Sequence, residues 1–140
     1  MEIKILDYIT EDCKNIRTKV FVEEQGFVDE FDEIDDNSFH CVIFENNTAV
    51  AVGRVFLYDR ENLIYKIGRI AVLKEHRKNH YGSKVVTSLQ NKAIELGAKE
   101  IHISSQVRVK EFYKSLGYTE IGDVYSDEGC PHILMIKSIE

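Results

Sequence analysis

Several things are missing from this chain. No apolar run approaches the roughly eighteen residues that a membrane span needs, and the opening MEIKILDY lacks the basic and apolar regions of a secretory signal. Cysteine is scarce. Cys13, Cys41 and Cys130 are an odd number with neither metal-ligand spacing nor a Cys-x-x-Cys pair, so they read as free thiols, with no metal and a cytoplasmic location expected. Neither a Gly-x-x-x-x-Gly-Lys-Ser/Thr loop nor a Gly-x-Gly-x-x-Gly with a following acidic residue is present, which argues against a nucleotide phosphate-binding protein. No repeat, linker or low-complexity tract interrupts the chain.

A broad basic face is also missing. The net charge is −6, and between Glu23 and Asp36 there are eight acidic residues with no Lys or Arg. Of the 24 acidic residues, removing those eight leaves 16 against 18 basic, so the remainder is slightly positive. That balance excludes a nucleic-acid surface and describes a dipolar molecule with one acidic lobe. What is there is ordinary for a soluble globular chain: 44% hydrophobic and 30% charged residues. The 140 residues are read as a single domain, 1–140, large enough to bury a core.

Ile3 and Ile5 suggest a first strand. Thr10 then caps a helix with Glu11 and Asp12 in its first turn and Cys13, Ile16 and Val20 on one stripe. Gly26 makes the acidic segment a poor long helix, although Phe27, Phe31 and Ile34 can seat a short one. Phe39–Glu45, Ala49–Leu57 and Leu63–Leu73 read as strands, with Asn46-Asn47 as the turn between the first two. Val86, Leu89, Ala93 and Leu96 recur at helical spacing up to Gly97. Lys99–Ser104 is a short strand, Val109–Leu116 a helix, and Tyr118–Tyr125 and His132–Lys137 the last two strands. The order β-α-(α)-β-β-β-α-β-α-β-β predicts an α/β (α+β) fold: a mixed, twisted sheet of six to seven strands flanked by about four helices.

The sharpest chemical feature is the loop Arg77-Lys78-Asn79-His80-Tyr81-Gly82-Ser83, between a strand and a helix. A helix N-terminus presents unpaired N–H groups and partial positive charge. Behind a basic turn with a glycine it makes a pyrophosphate cradle without a metal. A solvated basic strand–helix junction is the bland alternative.

The company of this loop is informative. Arg77-x-x-His80-x-Gly82 resembles the Arg/Gln-x-x-Gly-x-Gly/Ala signature of the GNAT (GCN5-related N-acetyltransferase) superfamily. Gln106-x-x-Val109-x-x-Phe112-Tyr113-x-x-x-Gly117-Tyr118 is similar to its Asn-x-x-Ala-x-x-Phe-Tyr-x-x-x-Gly-Phe signature. Arg17-x-x-Val20-Phe21-Val22-Glu23-Glu24-Gln25 and Gly129-Cys130-Pro131-His132 resemble the small bacterial ElaA/YjcF-like branch. His80 stands in a glycine position, where a left-handed backbone would strain it.

The resemblance implies an acetyl-CoA-dependent N-acetyltransferase that acetylates a primary amine of a small molecule or peptide directly in a ternary complex. The alternative is a non-catalytic acyl-CoA-binding or regulatory module. It implies that Ile70, Ala71 and Val72 line the pantetheine arm by strand augmentation, with the Val72 N–H meeting the developing oxyanion. Arg77, Lys78, Asn79, His80, Tyr81, Gly82 and Ser83 would hold the pyrophosphate, and Gln106, Phe112 and Tyr113 would complete the cofactor site. Gly68 marks a bulge that would splay its strand from Lys99–Ser104, or is a plain packing glycine. Tyr113 is the expected general acid, with aromatic packing as its alternative. For the base, Glu24, His132, His40 and a water-mediated route stay open. The acidic lobe suggests a cationic amine. No membrane partner is expected, and the resemblance leaves a homodimer open.

Overall fold

The computed structural model describes residues 1–28 and 30–139. Strand β1 (Glu2–Leu6) leads to helix α1 (Glu11–Arg17), whose start is fixed by the Thr10 hydroxyl accepting the Cys13 N–H at 3.2 Å. The chain then widens into a π-helical stretch, Thr18–Glu24, so the expected stripe Cys13, Ile16, Val20 is buried across a change of pitch. The acidic segment forms a 3-10 helix, Glu33–Asn37. Strands β2 (Phe39–Glu45), β3 (Thr48–Asp59) and β4 (Ile64–Val72) follow, then helix α2 (Tyr81–Glu95), strand β5 (Glu100–Gln106), helix α3 (Lys110–Ser115) and strands β6 (Thr119–Asp127) and β7 (Cys130–Ser138).

The seven strands form one sheet in the order β1-β2-β3-β4-β5-β7-β6. Among the described residues only β4 and β5 run parallel, joined by the crossover helix α2. Asn46 and Asn47 both take positive φ, 51° and 64°, making the tight turn between β2 and β3. Strand periodicity divides the core. Val42 and Val52 face α1 with Ile16 and Phe21, whereas Cys41, Ile43 and Ala51 face α2 with Val85 and Leu89. Gly53 admits α2 to the sheet. A Cβ there would stand 2.5 Å from Val85 Cγ1 and 2.9 Å from Leu89 Cδ1.

Two irregularities along β4 shape the site. Pairing of β3 with β4 runs Val52↔Ala71 and then Arg54↔Gly68, so β4 carries one extra residue. Pairing of β4 with β5 stops at Ile67↔Ile103, while β5 turns to β7 as far as Gln106↔His132. Beyond Ile67 and Ile103 the two parallel strands part. The splay expected from Gly68 is present, but the positive φ belongs to Arg69, at 53°. A Cβ on Gly68 would meet nothing within 4 Å.

Candidate active site

The parting strands open a groove of about 700 Å³, whose walls include Ile70, Ala71 and Val72 of β4, Gln106 of β5, and Phe112 and Tyr113 of α3. Backbone alternation decides which groups face it. The Leu73 N–H donates to Val50 O at 3.0 Å, toward β3. The N–H of Val72, one residue back, therefore points the other way, into the splay, and that of Ile70 follows it. Among the described residues no strand takes these donors there, so the slot fits an amide-bearing chain laid along β4.

A second hollow of about 480 Å³ adjoins the first, bounded by Val72, Lys78, His80, Gly82, Ser83 and Phe112. His80 caps α2 from the left-handed region, φ 62° and ψ 20°, and makes no side-chain capping hydrogen bond. Its own carbonyl accepts the first helical N–H, from Lys84 at 3.2 Å. The N–H groups of Tyr81, Gly82 and Ser83 precede that bond, so the first turn is left to an external acceptor. Gly82 approaches α3 closely, with a Cβ position 3.4 Å from Phe112 Cζ.

Not every loop residue meets this hollow. Asn79 lines neither space, and its side-chain amide donates back to His76 O at 3.3 Å. Tyr81 borders the hollow, but its hydroxyl is spent on Glu45 at 2.5 Å. Arg77 donates Nε to Val72 O at 3.0 Å and clamps both carboxylate oxygens of Glu24 at 2.7 and 2.8 Å. Its guanidinium is thereby committed to protein rather than held ready for phosphate.

The acid and base candidates separate sharply. Tyr113 sits in the groove wall, 8% exposed, with its ring edge-on to Phe112 at 5.0 Å and to Tyr118 at 6.4 Å. Burial pushes its phenol up to about 12, so it stays protonated near neutrality. Glu24 also borders the groove, yet the Arg77 hydrogen bonds hold its carboxyl below the usual range, which suits an ion pair better than a base. His132 lines the groove near the end of the sheet. Its Nδ1 donates to Cys130 O at 2.8 Å and its ring stacks on Tyr125 at 6.0 Å. A carbonyl only accepts, so the neutral tautomer carries its proton on Nδ1 and leaves the lone pair on Nε2. His40 lies away from the groove, 1% exposed, with Nε2 on Asp35 O at 3.0 Å. Burial pushes its pKa down.

The centre of the acidic lobe is turned inward, with Glu30 and Asp35 buried. Arg17 pairs with Glu30 and Asp35, both at 2.7 Å. Arg54 reaches Asp32 at 2.8 Å and Asp35 at 2.9 Å. Burial would raise the Asp35 carboxyl, but the hydrogen bonds and charge of Arg17 and then Arg54 overcome it and hold it at about 2. With exposed Glu24 tied to Arg77 and exposed Asp32 to Arg54, the other exposed acids of this run are Glu23, Glu33 and Asp36 among the described residues. The expectation of one acidic lobe is narrowed accordingly, because arginines distant in sequence neutralise its centre.

Three features of the site escape sequence reasoning. Arg69, in the groove wall, takes the strained φ of the bulge. Gln25 Oε1 accepts from Gln106 Nε2 at 2.9 Å, linking the π-helical turn to the end of β5. Arg108 Nε donates to the same Gln106 amide at 2.8 Å. Gln25 falls within a recognised motif, but no local signal marks its partner 81 residues away. Among the described residues no group of His, Cys, Asp and Glu could hold a metal ion, and no helix is long and apolar enough to cross a membrane.

A mixed seven-stranded sheet split at its one parallel pair, with a helix N-terminus at the mouth of the split, defines an acyltransferase-like architecture. The acetyltransferase (GNAT) domain family matches residues 6–139, and the chain belongs to that family. It is 32% identical to the uncharacterized N-acetyltransferase YjcF of Bacillus subtilis, over 91% of each chain. Among solved structures, Escherichia coli ElaA superposes with a TM-score of 0.87 at 23% identity, covering 98% of this chain and 99% of that one. An aminoglycoside 6'-N-acetyltransferase complexed with coenzyme A superposes at 0.77 and 16% identity, covering 99% and 97%. These superpositions show the fold, which is that of the ElaA/YjcF-like branch of GNAT proteins.

Proposed function

We propose that residues 1–140 act as one catalytic domain that acetylates a primary amine of a small molecule or peptide from acetyl-CoA, directly within a ternary complex. The observation that carries this reading is the shared groove. The Val72 N–H, turned into the splay, and the buried protonated Tyr113 border the same space, and the uncapped start of α2 lies at its end. Acetyl-CoA would supply a thioester whose acyl carbon accepts the amine nitrogen, the C–N bond forming as the C–S bond breaks.

The chain's own groups would do the rest. Ile70 and Val72 bind the pantetheine arm through backbone, and Val72 N–H stabilises the carbonyl oxygen as it gains charge. Gly82 and Ser83 N–H groups hold the pyrophosphate, assisted by Lys78 and His80. Gln106 and Phe112 border the arm. Tyr113 hydrogen-bonds or protonates the departing thiolate. The phenol is a weaker acid than an ordinary thiol, near 8.5, so full transfer is uphill and its main service is to stabilise the thiolate. His132 Nε2 is the better-placed acceptor for the amine proton, with water as the other route. Exposed Glu23, Glu33 and Asp36 favour a cationic amine.

A thermal-shift titration with acetyl-CoA, against ATP and NAD, tests the donor. Saturation at a hundredfold over Kd should add about 2.7 kcal/mol of stability, and no shift would sink the proposal. Free-thiol release over an amine panel then separates an enzyme from a non-catalytic acyl-CoA binder.

A further inference from the structure

We propose that Arg69 is a positioning residue for the donor, and that its anchorage on Glu30 and Asp32 holds the bulge that frees the β4 edge for the cofactor arm. This rests on the reading of that edge as the donor slot. Arg69 is a non-glycine residue in the left-handed region, φ 53°, a conformation that L side chains disfavour. The space beside neighbouring Gly68 is open. The Arg69 side chain supplies the constraint.

The Arg69 Nε donates to the carbonyl of Glu30 at 3.2 Å and lies 3.1 Å from its Oε2, and Nη2 lies 3.5 Å from Asp32 Oδ2. The anchor is rigid. Glu30 is 4% exposed, and Arg17, itself buried, grips both its carboxylate at 2.7 Å and its carbonyl at 2.9 Å. Asp32 is held in turn by Arg54 at 2.8 Å. The clamp thus ties the single extra residue of β4 to a buried ionic frame on the α1 side, while Ile70 packs beside Gly53 on the α2 side.

The bulge position matters because side-chain and amide directions alternate. A β4 strand relieved of its extra residue slips by one against β3, and the N–H groups of Ile70 and Val72 turn from the slot toward the sheet. Pairing with β5 ends at Ile67, two residues before Arg69. A relaxed strand would be free to extend that pairing and close the groove.

Arg69→Gly tests this directly, because glycine keeps the positive φ at no steric cost and removes only the clamp. Expected are a cooperatively folded protein, an acetyl-CoA Kd raised by about tenfold or more in titration calorimetry, and a KM for acetyl-CoA raised in step. The amides of Ile70 and Val72, open to the slot in the free protein, should exchange more slowly with solvent as they turn to the sheet, and Arg69→Lys should fall between the native chain and the glycine variant. An Arg69→Gly protein with native acetyl-CoA affinity and native exchange at Ile70–Val72 overturns the proposal. So does a variant altered only in KM for the amine. If the unaltered chain binds no acetyl-CoA, the functional reading fails on its own, and the exchange of Ile70–Val72 still decides whether Arg69 clamps the bulge.

Discussion

Glu24 and Arg77 face each other with both carboxylate oxygens bound, at 2.7 and 2.8 Å, across 53 residues of sequence. A candidate base and a candidate phosphate ligand cancel each other's charge. The pair joins the π-helical turn after α1 to the loop before α2 and so braces the cofactor end of the groove.

Glu24→Gln should therefore leave most turnover intact. The pair is partly exposed, about a third on each side chain, and such pairs contribute at most about 1 kcal/mol. A loss of kcat beyond about tenfold, with the pH profile losing its acid limb, would restore Glu24 as the base.

Tyr113→Phe should lower kcat by about a hundredfold or more while the acetyl-CoA Kd stays near native, as steady-state kinetics and calorimetry would show. With the phenol pushed up to about 12, its ionisation adds no alkaline limb to the native rate profile below about pH 10. A large loss of binding instead would make Tyr113 a packing residue.

His80→Gly should stabilise the fold. The left-handed φ costs histidine on the order of 1 kcal/mol that glycine does not pay, and the gain is partly offset by the greater freedom of glycine when unfolded. Calorimetry should show Tm rising by a few degrees, with acetyl-CoA affinity equal or higher. A fall in affinity would show that the His80 side chain contacts the donor.

Asp35→Asn should cost about 1–3 kcal/mol in denaturant unfolding, because Arg17 and Arg54 each lose one of two carboxylate partners and keep Glu30 and Asp32 alone. The sign with pH is definite. A carboxyl held at about 2 in the folded chain and near 3.8 in the unfolded one stabilises above the higher value, and that contribution fades as pH falls through the lower. Acid unfolding of the native protein should steepen below about pH 4, and the variant should lack that component.

Strands and helices were legible because their signals are local. Enrichment in Val, Ile and Phe placed β2 at its observed bounds, and the helical spacing of Val86, Leu89 and Ala93 falls within α2. His80 in a glycine position correctly flagged a left-handed backbone. The failures were long-range. Nothing local to Glu24, Glu30 or Asp35 reveals that Arg77, Arg17 and Arg54 neutralise them, so the run of carboxylates read as one uniformly charged lobe. The bulge was legible, but Gly68 drew attention from Arg69, because an arginine held at positive φ by distant carboxylates leaves no compositional trace.

The three thiols differ in a way that can be put to use. Cys13 and Cys41 are buried, burial pushing the first up and the second up to about 12, so alkylating reagents will find them inert near neutrality. Cys130 is partly accessible as the first residue of β7, two residues before His132. A maleimide dye should label the native chain once, at the rim of the groove, yielding an optical reporter of acceptor entry without any engineered cysteine.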